Sequence, residues 1–326
     1  MQSKSLVHTV TSMAILAICA VPITQHANAY PTKPIRMVVP FPSGGGTDLV
    51  SRAVGTKLSQ LLGQTVVIDN RGGANANIGA DIVAKSPADG YTVLVGTANL
   101  TVNVSLYKSL NYNLQKDLIP VTLLAAAPLV LTIHSSVSAN SVKEFIDAAR
   151  SSPGRLHFGS TGTGSPPHLA GEIFNDMAKV KLIHVPFKGA GPAVTSLLGG
   201  HVQLMFGSMP AVQPHLKSGK LKALAVSTAK RSSVAPELPT IAESGLAGFE
   251  VVTWYGLFLP TGTSKAIVDR LYTDTKKSLN DSEIDSVLKK QGFEIGGNSP
   301  VEFAIMIKNE IKNFSKVIRD SNIRLD

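Results

Sequence analysis

Residues 37–48 read Met-Val-Val-Pro-Phe-Pro-Ser-Gly-Gly-Gly-Thr-Asp, an apolar run that stops at Pro40 and passes through glycines into a helical pattern starting near Thr47. A strand that feeds a helix through glycines leaves backbone N–H groups unpaired at the helix start. Together with the positive end of the helix dipole they form a site for an anion. The stretch contains neither Gly-x-x-x-x-Gly-Lys-Ser/Thr nor Gly-x-Gly-x-x-Gly, which argues against phosphoryl transfer and dinucleotide binding. Phe41, Ser43, Gly44, Gly45, Thr47 and Asp48 are the candidate binding residues of this loop. A second loop, Gly159-Ser160-Thr161-Gly162-Thr163-Gly164-Ser165, stands at an equivalent strand-to-helix junction in the other half of the chain. Ser160, Thr161, Gly162, Thr163 and Gly164 add hydroxyl and backbone donors. In open α/β sheets ligands lie beyond the carboxyl ends of the strands. The two loops are therefore expected to face each other across a cleft, with Thr97 and Asn99 from the end of a third strand.

Other residue types that could do chemistry lack partners. His168 and Glu172 share a helix face, but no motif supplies a third metal ligand. His184 and His201 fall near strand edges and read as structural or solvated. No Gly-x-Ser-x-Gly elbow occurs, and Ser43 and Ser160 have no identifiable base, so serine hydrolysis is disfavoured. Lys188 reads equally as an anion-attracting or a solvated loop residue, and Trp254-Tyr255-Gly256 as a cleft wall, core packing or a hinge segment. No metal and no cofactor are expected.

The elements that must position these loops follow from periodicity. Ile35–Val39, Val66–Ile68 and Tyr91–Val95 read as short buried strands. Leu49, Val50, Ala53, Val54, Leu58, Leu61 and Leu62 recur at helical spacing, closed by Gly63. A further helix is expected over Ile78–Lys85. A second alternating run starts at the strand Leu129–Ile133 and includes strands at Leu156–Phe158, Leu182–Val185, Val202–Phe206 and Leu221–Val226. Its helices are opened by a Ser141/Glu144 capping box, by Pro166-Pro167, and near Ala193. Val251–Leu259 is a long late strand, followed by helices, the last opened by Ser299, Pro300 and Glu302. The pattern predicts an α/β chain of two lobes, each a mostly parallel sheet flanked by helices, joined by two hinge strands. Residues 30–128 and 252–326 form the expected discontinuous first lobe and 129–251 the second.

The chain has 326 residues, 44% hydrophobic and 16% charged, enough for two cored lobes and too apolar for disorder. Lys4, the apolar run Met13–Ile23 and Ala27-Asn28-Ala29 have the layout of a cleavable signal peptide over residues 1–29. That run is too short, and broken by Pro22, to span a membrane. The expected location is the periplasm. The one cysteine, Cys19, lies in that segment, and Ile18 before it argues against lipidation. Without Cys19 the chain has no disulfide, thiolate metal site or cysteine catalysis. Net charge is +9, and losing Lys4 with the leader leaves +8. The basic residues, such as Lys276, Lys277, Lys289 and Lys290, are dispersed along polar helix faces, which fits attraction of anionic solutes and not nucleic acid.

Pro40–Asp48, Gly159–Ser165 with His168–Glu172, His184–Ala193, Leu197–Gly200 and Trp254–Thr263 resemble, in this order, the motifs of the tripartite tricarboxylate transporter substrate-binding receptors, the Bug family. The matches run from about Pro34 to the C-terminus. The resemblance implies a two-lobed periplasmic receptor of type II, Venus-flytrap build. Its ligand is a small organic carboxylate, held largely by backbone and hydroxyl groups of the two loops. It also implies the permease subunits of a tripartite tricarboxylate transporter as membrane partners. A monomer without enzymatic activity is expected. The alternatives are a ligand-sensing partner of a membrane signalling receptor, or a periplasmic hydrolase of a small acid. Two departures stand out. Gly207 and Ser208 occupy a position where many members carry an acid, which argues against an amino-acid ligand. Arg71–Asn77 replaces a loop that more usually contains proline.

Overall fold

The computed structural model describes residues 30–321 and 323–324. The leader, its apolar run and Cys19 lie outside the described residues. Among the described residues no helix is long and apolar enough to cross a membrane.

In chain order the first elements are β1 (Ile35–Val39), α1 (Gly46–Leu62), β2 (Val66–Asn70), α2 (Asn77–Ala84), β3 (Thr92–Thr97), α3 (Asn99–Leu106), α4 (Leu114–Asp117) and β4 (Leu118–His134). There follow α5 (Val142–Ser151), β5 (His157–Ser160), α6 (Pro166–Ala178), β6 (Ile183–Pro186), α7 (Ala190–Leu198), β7 (Leu204–Ser208), α8 (Met209–Leu216) and β8 (Leu221–Val226). The chain closes with β9 (Val252–Pro260), α9 (Lys265–Leu279), α10 (Ser282–Lys290), β10 (Glu294–Ile295) and α11 (Pro300–Asp320).

The strands lie in the order β2-β1-β3-β9-β4-β7-β5-β6, with β8 and β10 also on β4. Pairing is parallel for β2-β1-β3 and for β6-β5-β7. It is antiparallel wherever β9 or β4 takes part. Each lobe's sheet is thus mixed, because the strands that pass between the lobes enter against the direction of the local βα units. β4 pairs with β9 over Leu118–Pro128 and with β7 and β8 from Leu129 onward.

The first half of β4 is absent from the pattern reading. Pro120 and Pro128 look like breakers, but Pro120 sits beside a register shift and Pro128 where the ladder changes partner. Those are places where a sheet tolerates a missing N–H. Helices α3 and α8 are likewise unread: α3 is rich in β-branched residues, and α8 carries Pro210 and Pro214. The Ser141/Glu144 box is half formed. Ser141 Oγ accepts from Glu144 N, but the Glu144 carboxylate accepts from Asn140 N instead of Ser141 N.

Alternating side chains of each strand enter different cores. In β1, Ile35 and Met37 pack beneath α1 and α9, whereas Val38 faces the core around Trp254, Phe258 and Phe303. In the second sheet, Leu129, Leu131 and Phe158 join α5 and α6, while Val130 and Met205 join α7 and α8. Each sheet is covered on both faces, so the strand ends are the free surface on which a polar site can form.

Candidate functional site

The helices divide into two groups by how they begin. α4, α5, α9, α10 and α11 are each capped by a side chain, from Asn113, Ser141, Ser264, Asp281 and Ser299. α1, α2, α3, α6, α7 and α8 have no side-chain cap. Five of these six, all but α2, contribute residues of their starts or caps to two adjoining cavities, which share Gly46, Ala190, Ser208 and Tyr255. The inner one, about 150 Å³, is lined by Phe41, Thr47, Thr97, Asn99, Thr161 and Thr253 among others. The outer one, about 460 Å³, adds Gly44, Gly45, Leu49, Val194, Leu198 and His215. A helix start without a cap leaves its first N–H groups available to a ligand. No Asp, Glu, Lys or Arg among the described residues lines either chamber.

The first loop is built to present those groups. Gly45 is the N-cap of α1, and Leu49 N closes the first turn on Gly45 O at 3.0 Å. The N–H groups of Gly46, Thr47 and Asp48 precede that first intrahelical bond. Asp48 does not line a chamber; it braces the loop from behind. Its Oδ2 accepts from Gly44 N at 3.0 Å and Arg52 Nε at 2.8 Å, and its Oδ1 from Asn70 Nδ2 at 3.1 Å. Burial opposes its charge, but the bonds from Arg52, Gly44 and Asn70 prevail and hold the carboxyl below the usual carboxylate range. Ser43 is exposed and outside both chambers. A β-carbon on Gly46 would lie 2.6 Å from Tyr255 Oη, so glycine is required there for close approach. Tyr255 itself is buried, and burial pushes its hydroxyl pKa upward, keeping it a neutral donor.

The second loop is arranged differently. Of its five candidates only Thr161 reaches a chamber. Ser160 and Ser165 both donate to the carbonyl of Gly162, at 3.1 and 2.7 Å, and Gly162 N returns a bond to Ser160 Oγ. Gly162 has φ 138°, a conformation that favours glycine. Gly164 N donates to His168 Nδ1 at 3.0 Å, and Thr163 is half-buried outside both chambers. α6 opens on Pro166 and Pro167, which have no N–H to offer. The donors of this lobe come instead from Ala190 and Gly191 at the start of α7 and from Ser208, the N-cap of α8. Gly207 is buried against Val212 and lines neither chamber.

Ser160 does have an imidazole neighbour, contrary to the reading that it has none: His184 Nε2 lies 2.7 Å from its Oγ. The pair is sealed, because Ser160 is fully buried and His184 stacks on His168 at 3.7 Å between centroids. Burial, and secondarily His168, lowers the His184 pKa to about 3, so the ring is neutral. This pair braces the loop from within the lobe. Among the described residues no group of three His, Cys, Asp or Glu could hold a metal.

Gly46, Gly191 and His215 are lining residues that the pattern reading did not name as candidates, whereas Tyr255 belongs to the Trp254-Tyr255-Gly256 segment for which a cleft wall was one of three readings. For Gly191 the signal was present, as an Ala-Gly-Pro triplet opening a helix. For Tyr255 the segment carried the signal but not the residue, because adjacent strand residues face opposite ways and Trp254 turns into the core, donating to Glu310 Oε2 at 2.8 Å.

Comparison with known proteins adds three findings. The family model described as the tripartite tricarboxylate transporter family receptor matches residues 50–323. Protein BugT of Bordetella pertussis is 36% identical over 92% of each chain. Two solved structures share the fold: R. palustris Rpa4515 with adipate (38% identity, TM-score 0.83, covering 90% of this chain and 99% of that one) and MatC from Rhodopseudomonas palustris with bound malate (33% identity, TM-score 0.78, covering 89% and 100%).

Proposed function

The chain belongs to the tripartite tricarboxylate transporter receptor family, and from that premise we propose that it is a periplasmic receptor for a small organic carboxylate, which it delivers to a membrane permease of that transporter type. The observation that carries this reading is the convergence of uncapped helix starts on a chamber lined by no formally charged side chain. A carboxylate supplies the missing caps of α1 and α7. The N–H groups of Gly46, Thr47 and Gly191, with the hydroxyls of Thr161, Ser208 and Tyr255, are its proposed partners. A charge-assisted hydrogen bond contributes about 1.5–3 kcal/mol, and micromolar affinity needs about 8 kcal/mol net. A handful of such donors suffices after the costs of ordering and closure, without an arginine clamp.

In this reading residues 30–128 with 252–326 form one lobe, 129–251 the other, and closure bends β4 and β9 near Pro128 and Val252. The ligand leaves unchanged, since the one serine–histidine contact near the site is buried and serves the loop. The adipate and malate of the two solved relatives agree with a carboxylate but do not select one. The test is a thermal-shift screen of the leaderless protein against organic acids, sugars and cations. An acid at about 100 times its dissociation constant adds about 2.7 kcal/mol of stability. Stabilisation by sugars or cations and by no acid would overturn the reading.

A further inference from the structure

Behind the inner chamber runs a chain of hydrogen-bonded amides. Ala74, Asn75 and Ala76 are consecutive left-handed residues, at φ 46°, 54° and 78°, a conformation that non-glycine residues rarely adopt and hold only when their surroundings impose it. Asn103 imposes it. Its Nδ2 donates to the main-chain oxygen of Asn75 at 2.7 Å and to Asn77 Oδ1 at 2.8 Å. A main-chain carbonyl can only accept, so the Asn103 amide has one admissible orientation. Its Oδ1 accepts from Asn75 Nδ2 at 2.7 Å. That turns Asn75 Oδ1 the other way, where it accepts from Asn99 Nδ2. Asn99 Oδ1 in turn faces Thr97, whose hydroxyl donates to it at 3.2 Å. Each link fixes the next, starting from a backbone atom and ending at two residues of the chamber wall.

A threonine hydroxyl has one hydrogen. Thr97 spends it on Asn99, so toward the ligand it can only accept. Thr97 therefore offers no hydrogen to the carboxylate. We propose that Thr97, oriented by the Asn103–Asn75–Asn99 relay, reads a hydrogen-bond donor on the ligand, and that the receptor selects hydroxy-carboxylates over their unsubstituted counterparts. The inner chamber, about 150 Å³, holds a carboxylate and few further atoms, which places the hydroxyl on the carbon next to the carboxylate or one beyond it. A hydroxyl fits better than an ammonium, because no acidic side chain lines the chamber to balance a positive charge. The proposal rests on the carboxylate reading and concerns Thr97 and Asn99 as specificity residues, with Asn75 as a positioning residue.

The test is calorimetric titration of the leaderless protein with matched pairs: malate against succinate, and 2-hydroxyadipate against adipate. The hydroxy acid of at least one pair binds about tenfold tighter, the effect of one hydrogen bond whose absence leaves a buried acceptor unpaired. Thr97→Val brings that ratio close to one, and Thr97→Ser keeps it. Asn75→Gly relieves the left-handed strain, folds, and still lowers the ratio because it cuts the relay. Equal or tighter binding of the plain acids, or a full ratio in Asn75→Gly, overturns the proposal while leaving the carboxylate receptor intact. Binding of no acid at all removes both.

Discussion

In the proposed complex the two jaws of the cleft meet the same ligand with opposite patterns of hydrogen bonding. In the first, Asp48 binds Gly44 from behind and leaves the opening N–H groups of α1 free. In the second, the Gly159–Ser165 loop turns its hydroxyls inward onto Gly162, and its helix opens on prolines. One loop is a donor array and the other a rigid strut, while the donors of the second lobe come from α7 and α8 behind it. Similar glycine-rich sequence at two strand-to-helix junctions therefore does not mean similar work. What decides is where the first N–H groups and the hydroxyl hydrogens go.

The comparison is broken most severely at Gly46. Gly46→Val sets a side chain against Tyr255 and the open helix start, and is expected to weaken carboxylate binding about a hundredfold, the loss of one to two charge-assisted bonds. Calorimetry reads the affinity, and circular dichroism confirms the fold. Gly191→Asp comes next. Its β-carbon meets nothing within 4 Å, so the acid is tolerated at the start of α7. It caps that helix from within and repels the ligand. Affinity is expected to fall about fiftyfold while thermal stability holds or rises, by about 0.3–1 kcal/mol.

Titration sharpens the contrast. His184, inside the second jaw, has its pKa lowered to about 3, so the unfolded chain takes up a proton that the native lobe refuses. Its contribution is lost as pH falls below 6.5 toward 3. Glu310 lies beneath the crossing strands, where burial raises its pKa to about 7. There the native state holds the extra proton, and stability is lost as pH rises from 4.5 toward 7. Glu310→Gln keeps an acceptor for Thr101 and Trp254 and removes only the second effect. Relative to the wild type it is expected to gain on the order of 1–2 kcal/mol between pH 5 and 7, read by urea denaturation at each pH. The smallest change is at the strut: Ser165→Ala removes one bond to Gly162 and costs about 1 kcal/mol of stability. Affinity for the ligand is expected to stay within about threefold, since no ligand donor is lost.

Much of this was legible in the sequence where the information is local. The β1–α1 junction is a contiguous apolar run, a glycine turn and a helical stripe, and the capping box at Ser299 forms as its spacing requires. Even the silence of the second loop could be read from Pro166-Pro167, because prolines that open a helix well also withhold its N–H groups. What could not be read depends on contacts distant in the chain. The first half of β4 is a strand because β9 pairs with it across two prolines. Tyr255 faces the cleft and Trp254 the core only once the register with β3 is set. The amide relay joins Asn99 and Asn103, which lie on one face of α3, to Asn75, which is distant from both in the chain.

In the proposed complex the ligand's carboxylate completes the start of α1. A crystal structure of the leaderless protein with a bound organic acid tests it directly. A carboxylate oxygen is expected within about 3.2 Å of the backbone nitrogens of Gly46 and Thr47, with Tyr255 Oη close by. A carboxylate seated on Lys188, on His215 or on the hydroxyls of the Gly159–Ser165 loop, with the α1 start left empty, would contradict it.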